Sequence, residues 1–215
     1  MSITTPTVHI VDDDASFLAA ASRLLRASGF AVKTFLSASE FFAQCDTDAS
    51  GCVVADLQMP EMNGLDLQSA LARARNPLPT LFLTGRGDIP SSVRAMRGGA
   101  EDFLEKSAPK EKLVDAVQRA LARDERERQE RTRQRELRAR FDALSERELE
   151  VLGHVVQGRL NKQIAVHLGI HERTVKLHRT AITMKLGVPS VAELTRLTLD
   201  AGIFKASSPT FPKGQ

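Results

Sequence analysis

Short apolar runs, each ending on a residue able to do chemistry, constrain the first half of this chain more than any other feature. Val8-His9-Ile10-Val11 leads into Asp12 and Asp13, Val53-Val54-Ala55 into Asp56, Thr80-Leu81-Phe82-Leu83 into Thr84, and Phe103-Leu104-Glu105 into Lys106. Apolar runs of this length, bounded by turn formers, read as strands buried on both faces, as in a parallel sheet. Amphipathic stretches separate them. Phe17, Leu18, Ala21, Leu24 and Leu25 lie at helical spacing and stop at Gly29. Residues 31–35 read as a further strand and residues 40–43 as a short helix. Leu65, Leu67, Leu71 and Ala74 form the next helical stripe, ended by Asn76-Pro77; residues 89–96 form another, closed by Gly98-Gly99. A last helix starts near Pro109, where proline suits a first turn. Five βα units predict an α/β fold, a (βα)5 doubly wound parallel sheet. Chemistry in such sheets gathers at the carboxyl ends of the strands. Asp12, Asp13, Asp56, Thr84 and Lys106 are therefore expected to converge.

The second half has a different character. Residues 1–122 carry 12 Lys and Arg against 15 Asp and Glu, whereas residues 123–215 carry 18 against 12. Between Arg159 and Lys185 there are six basic residues, one acid (Glu172) and three histidines. That bias points to nucleic acid. From Arg123 to Arg140 apolar residues dwindle, while Asp124 and Arg128, Glu127 and Arg131, and Glu136 and Arg140 stand four apart, acid before base. Such pairs support a helix by roughly 0.2–0.5 kcal/mol each. The segment reads as a helical rod joining two domains, with a charged tether as the alternative.

Ser145 followed by Glu148 is a capping box, with Leu144 and Leu149 placed for the hydrophobic staple around it. Leu149, Leu152, Val155 and Val156 then face a core until Gly158. Asn161 is placed to cap a short helix ending at Gly169, followed by helices over about residues 172–186 and 191–199. Two helices joined across Gly169 form a helix-turn-helix. On the third helix Val175, Ile182 and Leu186 make the core stripe. Lys176, Leu177 and Thr180 face away, suited to base edges in a major groove. Asn161, Lys162, Arg173, Arg179 and Lys185 suit phosphates, which fix register without reading sequence. The domains expected are 1–122, a charged linker 123–140, a four-helix DNA-binding domain 141–204, and a Ser/Pro/Gly-rich tail 205–215.

No apolar run approaches the roughly 18 residues that span a membrane, and the first residues lack the pattern of a signal peptide. Cys45 and Cys52 show neither CxxC spacing nor a nearby histidine, and read as reduced thiols. A cytoplasmic protein is expected.

Three carboxylates at adjacent strand ends make an oxygen-rich site for a hard cation, and Mg2+ fits best. A carboxylate beside such a cation can accept a phosphoryl group, because positive charge offsets that of the transferring oxygens. Asp56 is the natural acceptor, since the Asp12 and Asp13 pair is better placed for metal. Lys106 supplies a positive charge and Thr84 a hydroxyl donor to the phosphoryl oxygens.

Ile10-Val11-Asp12-Asp13, Asp56-Leu57-Gln58-Met59-Pro60, Asn63-Gly64, Thr84-Gly85 and Lys106 resemble the receiver domain of two-component response regulators, over about residues 7–122. That resemblance implies phosphorylation of Asp56 by a sensor histidine kinase. It implies direct metal binding by Asp13, Asp56 and the Gln58 carbonyl, with Asp12 acting through water, and Phe103 as a switch aromatic that turns inward. Leu144-Ser145-Glu146-Arg147-Glu148-Leu149-Glu150-Val151-Leu152, Asn161-Lys162-Gln163-Ile164-Ala165 and Thr174-Val175-Lys176-Leu177-His178 resemble the LuxR-type DNA-binding domain, which adds Thr174 to the DNA-facing set. The whole chain resembles a FixJ-like member of the NarL/FixJ family, close to regulators of aromatic catabolism. The family implies homodimerisation on phosphorylation, with Val93, Arg97 and Asp102 near the interface. The resemblance further implies double-stranded DNA as a partner and allows RNA polymerase as another.

Two departures from the receiver pattern carry expectations. Receivers usually follow the lysine with a cis proline, but here Ser107 follows. A cis bond before a non-proline costs about 2.5–4 kcal/mol, so a trans bond and a displaced Lys106 loop are expected. Arg86, two residues beyond Thr84, is placed to shield an acyl phosphate from water. In the second domain, His171-Glu172 stands where a capping Ser or Thr is usual, weakening that cap by up to about 1 kcal/mol.

The protein is expected to be a switch and not an enzyme. A phosphohydrolase using Asp56 in turnover needs a general acid shortly after the nucleophile, and Gln58 cannot serve. A DNA-binding regulator with an interaction-only, phosphorylation-independent receiver is the remaining alternative.

Overall fold

In the computed structural model, residues 5–46, 48–73, 77–85 and 89–204 are described. They divide into two compact units, residues 1–128 and 129–215.

The first unit alternates strand and helix: β1 (Thr7–Val11), α1 (Ala15–Ala27), β2 (Ala31–Phe35), α2 (Ala38–Gln44), β3 (Gly51–Asp56), α3 (Gly64–Ala72), β4 (Thr80–Thr84), α4 (Ile89–Arg97), β5 (Asp102–Glu105) and the long α5 (Lys110–Ala139). The five strands form one parallel sheet in the order β2-β1-β3-β4-β5. Side chains alternate between its faces, as the pleat requires. Val8, Ile10, Val54, Leu81 and Leu83 pack with Leu18 and Leu25 of α1 and Leu113 and Val117 of α5. Val11, Val53, Ala55 and Phe82 pack with Phe41 of α2, Leu67 and Leu71 of α3 and Ala95 of α4.

Burial on both faces holds for β1, β3 and β4 but not for β5, where Asp102, Phe103 and Leu104 are half-buried and Glu105 is exposed. The reason is topological. β5 lies at the edge of the sheet, where a strand has a neighbour on one side alone.

β1 also buries a polar ring. His9 is 3% exposed, with its ring centroid 6.0 Å from that of Phe35 and 5.7 Å from that of Phe41. Burial, with the nearby Lys33 charge, pushes its pKa down to about 4, so it is neutral at pH 7.

The charged segment 123–140 continues α5 as a helix through Ala139, and Arg140 opens the 3-10 turn that follows. The first turns of the segment are bonded to the end of the sheet opposite the acidic site. Asp124 is 2% exposed, and its Oδ2 accepts the Gly51 N–H at 2.8 Å. Arg128 Nη1 donates to the carbonyls of Asp48 (3.2 Å) and Ala49 (3.0 Å). Acid-before-base spacing therefore understates what these residues do, because each has a backbone partner distant in sequence.

The second unit takes the rest of α5, a 3-10 turn (Arg140–Ala143), α6 (Glu146–Val156), α7 (Asn161–Leu168), α8 (Glu172–Leu186) and α9 (Val191–Asp200). Phe141, Leu152, Ile164, Val175, Ile182, Leu186 and Leu194 form its core. The capping box is present: Ser145 Oγ accepts the Glu148 N–H at 3.3 Å, and Glu148 Oε2 accepts the Ser145 N–H at 2.7 Å. Gly169 and Gly187 end α7 and α8 in the left-handed region, where glycine carries no Cβ penalty. The expected cap at Asn161 is corrected. Leu160 holds the N-cap position, its N–H donates to Gln163 Oε1 at 2.9 Å, and Asn161 is the first helical residue. Among the described residues, no helix is long and apolar enough to cross a membrane.

Candidate phosphoryl-acceptor site and nucleic-acid interface

The carboxyl ends of β1, β3, β4 and β5 bring the expected residues together. Asp12 and Asp56 are buried, at 1% and 8% exposure, while Asp13 is exposed beside them. Each of the three offers a carboxylate oxygen, and these atoms lie within 4.8 Å of one another. Backbone donors fix two of them: Asp12 Oδ1 accepts the Asp14 N–H at 3.0 Å, and Asp56 Oδ1 accepts the Gln58 N–H at 3.3 Å. The other oxygens face Lys106, whose Nζ lies 2.6 Å from Asp12 Oδ2 and 2.9 Å from Asp56 Oδ2. The ammonium also sits 4.4 Å from the centroid of the Phe17 ring, a cation–π contact.

Burial is the largest influence on Asp12 and pushes its pKa up, against the opposing pull of Lys106 and the Asp14 N–H; the Asp56 charge adds to the rise. On Lys106 burial works against the charged form, but the two carboxylates outweigh it and the pKa rises. One cation thus serves two buried anions.

The loop before α3 is shaped around the same site. Gly64 opens α3, and a Cβ there would stand 2.4 Å from the Asp56 carbonyl oxygen and 2.9 Å from the Phe82 ring. Only glycine lets the helix start this close to the acceptor strand. Glu61, in the same loop, has φ 63°, a backbone region that a non-glycine residue adopts at a cost.

The bond between Lys106 and Ser107 is trans, as expected. No cis peptide bond occurs among the described residues, and Lys106 still reaches both carboxylates. The Lys106 N–H donates to the Thr84 carbonyl at 2.8 Å, so pairing of β4 with β5 sets where the lysine begins. Thr84 is 1% exposed. Phe103 is half-buried, with its ring centroid 6.3 Å from that of Phe82. Val93 and Arg97 are exposed on α4, alongside the exposed Ile89 and Met96. Asp102 pairs with Arg119 of α5. Arg86 lies outside the described residues, as do Ala74, Asn76 and the tail 205–215.

In the second unit, α8 presents Lys176, Leu177 and Thr180 to solvent, and Leu177 is 64% exposed. Lys162 and Arg173 are exposed as well, while Thr174 is half-buried. An apolar side chain held out between cations suits a groove carrying both phosphates and thymine methyl groups. Three residues expected at phosphates have partners within the chain. Arg179 Nη1 donates to Asn161 Oδ1 at 2.8 Å, tying α8 to α7. Lys185 pairs with Glu148 at 2.7 Å, and this charge, followed by the Ser145 N–H, holds the Glu148 pKa below its ordinary value. Lys185 thereby serves the α6 cap.

Two family models match the chain: the response regulator receiver domain over residues 8–118, and the bacterial regulatory proteins of the luxR family over residues 142–198. The response regulator protein TodT of Pseudomonas putida is 41% identical over 198 residues, spanning 92% of this chain and 87% of TodT. The chain is a NarL/FixJ-family response regulator. The transcriptional regulatory protein FixJ of Rhizobium meliloti is 38% identical to it over 93% of this chain and 98% of FixJ. A solved structure of the response regulator StyR superposes with a TM-score of 0.75 at 43% identity, covering 91% of this chain and 98% of StyR. This response regulator therefore couples phosphorylation of a receiver domain to DNA binding by a luxR-family domain.

Some of its site residues escape a reading of sequence alone. Phe17 and Glu61 carry no signal in the chain, because their roles depend on where α1 and the β3–α3 loop pass. Gly64 does carry one, as a glycine directly after the capping Asn63, whose Oδ1 accepts the N–H groups of Leu65 and Asp66 at 3.0 Å.

Proposed function

We propose that this response regulator accepts a phosphoryl group on Asp56 from a sensor histidine kinase, and that this controls dimerisation and DNA binding. One observation carries the reading: Asp56 sits at the end of β3 with Lys106 Nζ 2.9 Å from its carboxylate and the Asp12 and Asp13 carboxylates alongside. In the transfer, an Asp56 carboxylate oxygen bonds to phosphorus as the phosphorus–nitrogen bond of the phosphohistidine breaks. The imidazole leaves and takes up a proton. Lys106 and the Thr84 hydroxyl bind the oxygens of the resulting acyl phosphate. The donor set fits Mg2+, which needs carboxylate oxygens and water in near-octahedral geometry; Asp12, Asp13, Asp56 and the Gln58 carbonyl would hold it. When bound it neutralises charge on the transferring oxygens.

Phe103 lies on β5 three residues before Lys106 and opposite Phe82, in the register that pairs Thr84 with Glu105; capture of the phosphoryl group by Lys106 and Thr84 draws its ring inward. The exposed α4 surface at Val93 and Arg97, with Asp102 beside it, then serves as the pairing face of two copies. In the second domain Lys176, Leu177 and Thr180 read bases. Asn161, Lys162, Arg173, Thr174 and Arg179 meet or orient toward the phosphate backbone. Recruitment of RNA polymerase by the DNA-bound dimer is the downstream step, in the cytoplasm.

Incubation with labelled acetyl phosphate and Mg2+ tests the acceptor. Wild type is expected to hold a stable label and Asp56→Asn none. Label on both, or continuous turnover without retained label, contradicts the reading.

A further inference from the structure

Three arginines cap three helix ends in the DNA-binding unit. Arg147 Nη2 donates to the Leu168 carbonyl at the end of α7 at 2.7 Å. Arg138 Nε donates to the Ala201 carbonyl after α9 at 3.0 Å. Arg140 Nη2 donates to the Leu186 carbonyl at the end of α8. The last carbonyls of a helix lack intrahelical partners and carry the negative end of its dipole, so a guanidinium is well matched to them. Two of these arginines come from the end of the linker. Leu137 and Phe141, either side of them, pack into the core of the unit, and Phe141 is 3% exposed. Residues 137–141 are therefore fastened to the DNA-binding unit by alternating apolar and arginine anchors.

Arg140 differs from the other two in what it holds. Its partner is the last residue of α8, the helix that carries Lys176, Leu177 and Thr180. We infer that Arg140 is a positioning residue for DNA reading: by joining the end of α5 to the end of α8 it sets the aim of the recognition helix. Lys176 lies ten residues from Leu186, about 15 Å along the axis at 1.5 Å per residue. A tilt of about 4° at the Leu186 end moves Lys176 by about 1 Å, enough to spoil a bidentate contact to a base edge. Phosphate contacts tolerate the same displacement, because an ammonium or guanidinium can follow a phosphate without fixed geometry. Loss of Arg140 therefore lowers sequence discrimination more than it lowers overall affinity. This inference rests on the assignment of α8 as the base-reading helix. It adds that the linker end is part of the reading apparatus, so that whatever shifts the end of α5 is delivered to α8.

The test uses the full chain and two duplexes at one fixed salt concentration, one selected from random sequence by the wild-type protein and one scrambled. Arg140→Ala is expected to weaken binding to the selected duplex about tenfold and to the scrambled one by less than about twofold, the scale of one charged hydrogen bond set against tolerant phosphate contacts. Arg140→Gln, a milder change that keeps a donor, is expected to fall between. Arg138→Ala removes the matching cap from α9 and is expected to leave the ratio of the two affinities unchanged, although it removes the same kind of bond. Melting curves confirm that each variant is folded; if Arg140→Ala is not, Arg140→Gln decides. An unchanged ratio in the folded Arg140 variant overturns the inference, as does an equal fall in ratio for Arg138→Ala. Equal weakening on both duplexes assigns Arg140 to the phosphate backbone and also overturns it. A wild-type protein that selects no sequence contradicts the assignment of α8 instead.

Discussion

The acidic site of the receiver and the proposed reading face of the DNA-binding domain are built in opposite ways. The first gathers Asp12, Asp56, Thr84 and Lys106 from four strand ends and buries most of them, so their charges act on one another at 2.6–2.9 Å. The second takes Arg173, Lys176, Leu177 and Thr180 from one helix and leaves them in water. Buried charges need partners inside the protein, because desolvation is costly and little water remains to screen them. Exposed charges on a helix need none, and remain free for an outside partner such as a phosphate. A chemical switch wants the first arrangement. A surface meant to meet a polyanion wants the second.

If that contrast is right, polar groups buried in the first unit should matter more to stability than the ion pair at the α6 cap of the second. The largest effect is expected from His9. Its pKa falls from 6.5 in the unfolded chain to about 4 in the fold, so below pH 6.5 the unfolded chain takes up a proton that the folded one refuses. Stability is therefore lost as pH falls from 6.5 towards 4. At about 1.4 kcal/mol per pKa unit the total is about 3 kcal/mol. Urea denaturation of wild type and His9→Phe at several pH values should show the wild type alone losing that increment; parallel curves would remove His9 from the account.

Asp124→Ala comes next. It strips the Gly51 N–H of its acceptor at the buried entry to β3, which is expected to cost about 2 kcal/mol. Asp124→Asn, which keeps a carbonyl oxygen, should lose less, and equal losses would point to the charge and not the hydrogen bond.

The smallest effect belongs to the second unit. Glu148 is held ionised by Lys185 and by the Ser145 N–H, so its folded pKa lies below the ordinary 4.5. Its contribution is complete above that value and is lost as pH falls through the lower folded pKa. Glu148→Gln should cost about 1 kcal/mol at pH 7, the scale of a helix cap. The gap should close on acidification below the folded pKa. A cost larger than that of Asp124→Ala would break the contrast between the two units.

The same contrast explains what the chain reveals before folding. Apolar runs ending on Asp12, Asp56, Thr84 and Lys106 are legible because parallel strands point their carboxyl ends the same way. Ser145 and Glu148 are legible because a capping box spans only four residues. The partners of Asp124 and Arg140 are not, since Gly51 and Leu186 become their neighbours only once the whole unit is packed. Helical spacing offered each a nearer mate, and tertiary structure supplied another. Arg179 and Lys185 show the same limit. A basic residue on α8 looks unpartnered in sequence, yet Asn161 and Glu148 pair with these two. The trans bond expected at Ser107 is present, while the aim of Lys106 is not legible, because it is set by β4–β5 pairing that begins before it.

The central claim is that the buried acidic site governs the exposed reading face. It is tested most directly by the affinity of the full chain for its selected DNA, with and without beryllofluoride and Mg2+, in wild type and Asp56→Asn. Beryllofluoride is expected to tighten binding by wild type about tenfold or more, the range of coupling between linked sites, and to leave Asp56→Asn unchanged. Equal affinity of the wild type in both conditions would contradict the account.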